Sequence, residues 1–424
     1  KSLARDLVGR ITGADRAEEE TARVTPSESE EPRDLVKSQR EERRKQPRKT
    51  GQKNRSGLNP QFEQRQRSEK QQKDRWQSRR LSFTAHDMRV GDADGDGKNE
   101  IFLLQDKVVK AYSLQRGELE EQASYQGRPR VSFLNLNLLD TNGNGRQELV
   151  LSGLRDDNTP YSFVLGYKKE EFTLRQEKIR LFLNVVRTPP DYTRQLIGQK
   201  QRSPGKLKKG VHRVRITQGD YEFGDQIDLP RKANVFNFAY LPQEQRHKIL
   251  IADHADRLRV YSASQELQAR TEDVYAGSDV GIPVDTSMPG LEESREDPQS
   301  YYYLPTRLIP CNLDQTPDFE VIVNRSMGAS RFFSRFRDFS EGEIHSLGWD
   351  GVGLEIVWKT NTIKGAVQDY GLADLNNDGT LDLFLCINTE TGTILSGDTK
   401  TRILAYPLQL DAQKRQTIFR PGNR

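Results

Sequence analysis

Cysteine, tryptophan, methionine and long apolar runs are all scarce in this chain of 424 residues. There are two cysteines, three tryptophans and three methionines, and no apolar run approaches the 18 residues of a membrane helix. Cys311 and Cys386 each sit in an apolar, strand-like run and read as two buried thiols; cysteine spacing alone establishes no disulfide, and two cysteines fix no redox compartment. The five histidines, His86, His212, His247, His254 and His345, form no metal spacing such as H-x-x-x-H. There is no G-x-S-x-G, no P-loop and no G-x-G-x-x-G. The chain begins with Lys1 and shows no signal peptide; that reads as removal of something upstream or as a fragment, so it says little about targeting.

Hydrophobic residues are 33% of the chain and charged residues 30%, which is polar for a compact body and points to a segment outside any core. The net charge of +4 conceals an asymmetry. Asp15–Asp34 carries eight acids against three bases, Lys37–Arg80 carries sixteen bases against five acids, and the remainder is net acidic. Residues 1–13 read as a short amphipathic helix, through Leu3, Leu7 and Ile11, or as the remnant of an upstream segment. Residues 14–75 offer almost no core material and read as a disordered, charged, mainly basic linker, because so little apolar area cannot offset the entropy of ordering. Such a basic run suits contact with a polyanion, since phosphate binding is mainly electrostatic. It lacks the aromatics and the fold of specific nucleic-acid recognition.

From about residue 76 to 424 the texture changes. Short runs with period-two alternation, such as "EIFLLQ", "ELVLSG", "KILIAD", "FEVIVN" and "LDLFLCI", alternate with Gly, Asn, Asp and Pro. No stretch holds a helical period for twelve residues, so the expected body is all-β.

Three segments align without gaps: "RVGDADGDGKNEIFLL", "NLLDTNGNGRQELVLS" and "GLADLNNDGTLDLFLC". Counting from the first aspartate, positions one, three, five and nine hold Asp92, Asp94, Asp96 and Glu100 in the first, and Asp140, Asn142, Asn144 and Glu148 in the second. The third holds Asp374, Asn376, Asp378 and Asp382. Position seven (Lys98, Arg146, Thr380) varies, as it can if it lends only a backbone carbonyl. The set is made of oxygen donors, and Ca²⁺ takes six to eight oxygens at roughly 2.3–2.6 Å. Glycine at position six and Gly or Asn at position four suit the left-handed geometry of a sharp reversal. An EF-hand needs a glutamate at position twelve. Here that position is Leu103, Leu151 and Leu385, and an apolar strand begins straight after position nine. The loops therefore join strands.

A strand, D-x-[DN]-x-[DN]-G-x-x-[DE] and a second strand resemble the FG-GAP or VCBS repeat, found also in the propellers of integrin alpha subunits. The resemblance implies four-stranded blades with calcium in the hairpin between the first two strands, held by the residues named above. Two to three structural ions follow. "PCNLDQTPDFEVIVN" keeps the frame at 312–320 through Asn312, Asp314, Thr316 and Glu320, but Pro317 replaces the glycine and weighs against an ion. "LFLNVVRTPPDYTRQLIGQK" and "FNFAYLPQEQRHKILIAD" keep flanking strands and lose the ligands. Blade starts fall near Phe83, Val131, Arg180, Val235, Leu304 and Val367, giving six blades, with seven as the alternative. "RWQSRRLSF" is placed as the strand that closes the ring.

The expected function is that of a non-catalytic, calcium-stabilised binding or adhesion scaffold, outside the cytoplasm because weak calcium sites need micromolar to millimolar ion. Its partner would be a protein or a surface polysaccharide. The alternative is a polysaccharide-active enzyme, or an accessory module of one, with its site in the propeller funnel. Asp253, His254 and Asp256 read as a polar turn. Three insertions are candidate contact surfaces: the basic 188–210 with Tyr192, the acidic 274–305 with Tyr301–Tyr303, and 324–342 with Phe332, Arg331, Arg335 and Arg337.

Overall fold

A computed structural model describes residues 75–203, 206–217, 219–244, 246–284, 300–313, 316–328, 337–391 and 398–408, with 410, 417–419 and 421. The expectations for 1–13 and for 14–74, and those for Asp314, Arg331, Phe332 and Arg335, fall outside the described residues.

Six antiparallel four-stranded blades form the body, as the period-two runs require. Blade 1 is Asp87–Gly91, Glu100–Leu104, Val108–Gln115 and Glu118–Gln126, and blade 2 is Val131–Leu139, Glu148–Arg155, Ser162–Lys168 and Glu171–Ile179. Blade 3 is Phe182–Thr188, Thr193–Gln199, Val211–Thr217 and Asp220–Ile227; blade 4 is Phe238–Pro242, His247–Ala252, Leu258–Tyr261 and Leu267–Arg270. Blade 5 is Ile309–Cys311, Glu320–Met327, Glu341–Trp349 and Leu354–Lys359, with Ile363–Lys364 also paired to its third strand. Blade 6 is Ala366–Ala373, Leu381–Thr391 and Asp398–Leu408, and its outermost strand is Trp76–Gln77 from the other end of the body. The innermost strands of blades 1 to 4 meet in chain order, that of blade 5 meets blade 4, and that of blade 6 meets blades 5 and 1. This is the six-bladed ring the repeats imply. The expected starts lie within five residues of the observed ones, the largest gap being Leu304 against Ile309.

Alternation explains why the ring packs. A strand inside a blade has neighbours on both faces, so both sets of side chains are buried and the second strands read as continuous apolar runs. In blade 1, Ile101 and Leu103 pack toward blade 6, while Phe102 and Leu104 pack toward blade 2. The equivalent Leu149 and Leu151 face blade 1, and Leu383 and Leu385 face blade 5. Six buried clusters result, one at each blade junction. Cys311 and Cys386 are buried in two of them and are not joined in a disulfide. The outer strands, such as Glu118–Gln126, turn half their residues to solvent.

The ring closes at blade 6. Trp76 and Gln77 pair with Ala405 and Leu404, Ser78 exchanges two hydrogen bonds of 2.9 Å with Ile403, and the Trp76 indole N–H donates to the Gly117 carbonyl at 2.9 Å. Trp76 thus ties blade 6 to the outer hairpin of blade 1. Trp76→Ala removes that bond and a half-buried ring, at an expected cost of about 2 kcal/mol. A urea midpoint equal to that of the unmodified chain would contradict the closing role.

Candidate functional site

Each loop is built around the aspartate at position one. Asp92 Oδ1 accepts from the Gly95 amide at 2.6 Å and Oδ2 from Gly97 at 3.0 Å; Asp140 does the same with Gly143 (2.7 Å) and Gly145 (2.8 Å). Asp374 accepts from Asp378 (3.1 Å) and Gly379 (2.7 Å). Those contacts demand a tight left-handed reversal, and positions four and six have positive φ in all three loops: Gly95 and Gly97, Gly143 and Gly145, Asn377 (60°) and Gly379. Position three accepts from position five in each: Asp94 from Asp96, Asn142 from Asn144 and Asn376 from Asp378. Position five accepts from the position-seven amide: Asp96 from Lys98, Asn144 from Arg146 and Asp378 from Thr380.

The carboxylate at position nine brackets the hairpin by accepting the position-two amide: Glu100 from Ala93, Glu148 from Thr141, Asp382 from Leu375. The same bond, Leu313 N–H to Glu320 at 3.1 Å, survives in the 312–320 frame. Position nine is therefore a structural bracket whether or not an ion is bound, and it leaves its second oxygen for other use.

In the first loop, oxygens of Asp92, Asp94, Asp96 and Glu100 all lie within 4.8 Å of one another. An all-oxygen, four-carboxylate set of that span fits a hard divalent cation. Burial, then the nearby Asp94, Asp92 and Asp96, pushes the Glu100 carboxyl up to about 7. Burial likewise pushes Asp382 up to about 6, helped by Asp378 and Asp374. In the second loop the Asn142 amide donates to Glu148 at 2.6 Å, filling with an N–H the side that would face an ion. Burial alone would raise the Asp140 carboxyl, but backbone N–H groups from Gly145, Gly143, Asn144 and Asn142 hold it low. Loops one and three also clasp each other across the closing junction: the Asn99 amide N–H donates to Asn377 Oδ1 at 2.7 Å, and Asn99 Nδ2 to the Asp374 carbonyl at 2.8 Å.

The central channel holds a second constellation. Five residues before position one stand Asp87, Asn135, Arg307 and Asp369, each at the channel end of its blade. Bulges beside Asn135 and Asp369 shift the register there. Three of these side chains, and Asn184 of blade 3, buckle a blade to the backbone of the next: Asp369 accepts from Met88 N–H at 2.8 Å, Asp87 from Leu136 N–H at 2.8 Å, and Asn135 and Asn184 donate to the Leu183 and Val235 carbonyls. Arg89 and Arg307 each bridge Asp87 and Asp369, with Arg89–Asp369 at 2.9 Å and Arg307–Asp87 at 2.8 Å. Burial, opposed by Arg307 and reinforced by Asp87, pushes the Asp369 carboxyl well up. This cluster divides the channel into chambers of about 200 and 70 Å³, with Arg89, Asn184, Phe236 and Arg307 in both walls.

Other candidate residues sit in turns, ion pairs and ring contacts. Asp253 caps its turn through the Ala255 and Arg257 amides and pairs with Arg259 at 2.8 Å, and Asp256 pairs with Arg337. Tyr192 is buried between blades 3 and 4, Tyr301 is exposed, and Arg337 lies over the Tyr303 ring.

No protein-family model matches the sequence, and no curated protein matches it. Among solved structures, the chain is similar to the crystal structure of BBS1N in complex with ARL6DN, soaked with mercury. Identity is 12% and the TM-score 0.39, over 78% of this chain and 96% of that one. The same complex soaked with lead aligns at 12% identity and a TM-score of 0.37, over 76% and 93%. At those scores the propeller assignment rests on the strand pairing above.

Proposed function

We propose that this propeller is a non-catalytic binding scaffold working outside the cytoplasm, in a periplasm, on a cell surface or secreted, with calcium clamped in its blade hairpins. The observation that carries the reading is the repeated loop, in which backbone amides, left-handed turn residues and oxygen-bearing Asp, Asn or Glu side chains recur at fixed positions. Asp92, Asp94, Asp96 and Glu100, with the Lys98 carbonyl, would hold the first ion. Asp374, Asn376, Asp378 and Asp382, with the Thr380 carbonyl, would hold another. Asp140, Asn142, Asn144 and Glu148, with the Arg146 carbonyl, form the weakest set because they carry the fewest carboxylates. When bound, each ion would neutralise clustered charge and fix a hairpin, adding stability to the folded state alone.

The enzyme reading needs a working carboxyl pair in the channel. Glycoside hydrolysis places two carboxyls about 5–9.5 Å apart. Asp87 and Asp369 are instead both gripped by Arg89 and Arg307. That geometry suits a rivet between blades, not an acid and a base on either side of a sugar. Among the described residues, no helix is long and apolar enough to cross a membrane.

The test is capture from a membrane-derived extract on the immobilised full chain, with calcium and with chelator. A protein or polysaccharide retained in calcium and released by chelator is expected. Release of sugar products from a polysaccharide panel would favour the enzyme reading.

A further inference from the structure

An open groove of about 510 Å³ lies where three connections meet beside blades 3 and 4. One wall is the stretch entering the third strand of blade 3, with Lys208 and Lys209; the other is the crossover to blade 4, with Arg231 and Lys232. Its floor includes Leu207, Leu229 and Tyr302, all partly exposed. The walls are braced from beneath. Buried Gln199 donates to the Lys208 carbonyl at 2.7 Å and accepts from the Val235 amide at 2.9 Å, so one side chain sets their separation. Asn234 donates to the Tyr302 hydroxyl at 2.7 Å and fixes the third side.

The four cations are exposed, and among the described residues none of their side chains makes an ion pair or side-chain hydrogen bond. No carboxylate lines the groove among the described residues; Asp228 stands between two lining residues and is not itself part of the wall. Gathering four like charges around an apolar floor, with no carboxylate among the described lining residues, rewards an anionic partner. A flat basic patch would serve a point phosphate. The apolar floor adds a demand for hydrophobic anchors between the acids.

We propose that this groove docks an acidic peptide segment of a partner protein, with Asp or Glu side chains over Lys208, Lys209, Arg231 and Lys232 and apolar residues on Leu207 and Leu229. The site rests on the scaffold reading above and names where, and with what chemistry, that scaffold takes a partner.

The probe is a fluorescein-labelled peptide of interspersed Glu and Leu, titrated into the full chain by fluorescence anisotropy. Saturable binding is expected, weakened about tenfold or more by Lys208→Glu with Lys232→Glu, and weakened by Leu229→Ser. A Glu-only peptide of equal charge is expected to bind less well. Circular dichroism and the thermal midpoint of the charge-reversed chain are expected to be unchanged, since both lysines are exposed. Affinity unaffected by the double reversal would overturn the proposal, because binding would then lie elsewhere, such as the basic stretch Lys37–Arg80. Binding of phosphatidylglycerol vesicles through Lys208 and Lys232, with no peptide binding, would also overturn it in favour of a membrane surface. Calcium-dependent capture that persists in the double reversal would leave the scaffold reading intact while the groove fails.

Discussion

Asp369→Ala is expected to destabilise the propeller by about 3–5 kcal/mol, the usual cost of removing one partner from a buried ion pair. The substitution strips three contacts at once. The Met88 amide loses its acceptor across the junction of blades 6 and 1, and Arg89 and Arg307 both lose a carboxylate. Asp87 alone would then face two guanidinium groups. Asp369→Asn separates charge from shape. It resembles the protonated acid toward which burial pushes Asp369, and it can still accept from Met88, so it is expected to cost clearly less than the alanine. Urea denaturation of both variants measures the difference. Equal midpoints for Asp369→Ala and an exposed control such as Glu118→Ala would show that the blades do not depend on this rivet. The closing junction is the right place to look for a large effect. Blade 6 borrows its outer strand, so among the described residues this junction is held by strand exchange as well as by side-chain packing.

The contrast between the loops and the rivet shows what a single sequence reveals. The loop residues announce themselves because residue type and turn geometry are coupled. Gly97, Gly145 and Gly379 stand where φ must be positive, and the aspartates stand where amides converge. The closing strand was legible for a related reason. "RWQS" stands before the first repeat as "LEIVWK" stands before the last, and the two take the same outer position in their blades. Asp87, Asn135 and Asp369 carried a signal of the same kind, a polar residue at a fixed offset before each loop, with Arg89 and Asn137 two residues on. Alternate polar positions in a strand look alike whether they face solvent or a narrow channel, and only the closed ring distinguishes them. The basic groove was less legible still. Lys208 and Lys232 are far apart in the chain, and only the crossover between blades 3 and 4 brings them to one cleft.

Chelated protein is expected to lose stability as pH rises from about 5 to 8, and calcium is expected to restore it most at the upper end. The sign follows from Glu100 and Asp382, whose folded values are raised to about 7 and about 6. A carboxyl raised on folding contributes its full stability below its unfolded value and loses that contribution as pH climbs through the folded one. Without an ion, deprotonation leaves each charge buried beside other carboxylates. Calcium takes the deprotonated set, and one site at a hundredfold excess over its dissociation constant adds about 2.7 kcal/mol. Asp94→Asn sharpens the test. Loops two and three already use Asn142 and Asn376 at that position, each accepting the same turn hydrogen bond from position five. The variant therefore keeps the loop shape and removes one charge. It is expected to raise the midpoint of the chelated protein at pH 8 while weakening calcium about tenfold, two shifts of opposite sign from one atom pair. If charge count governs affinity, the three loops bind in the order first, third, second, and Asp92→Ala, Asp374→Ala and Asp140→Ala remove the steps of a calorimetric titration in that order. A chelator without effect at any pH, or an Asp94→Asn chain that binds calcium as tightly as before, would leave the loops as hairpin brackets alone.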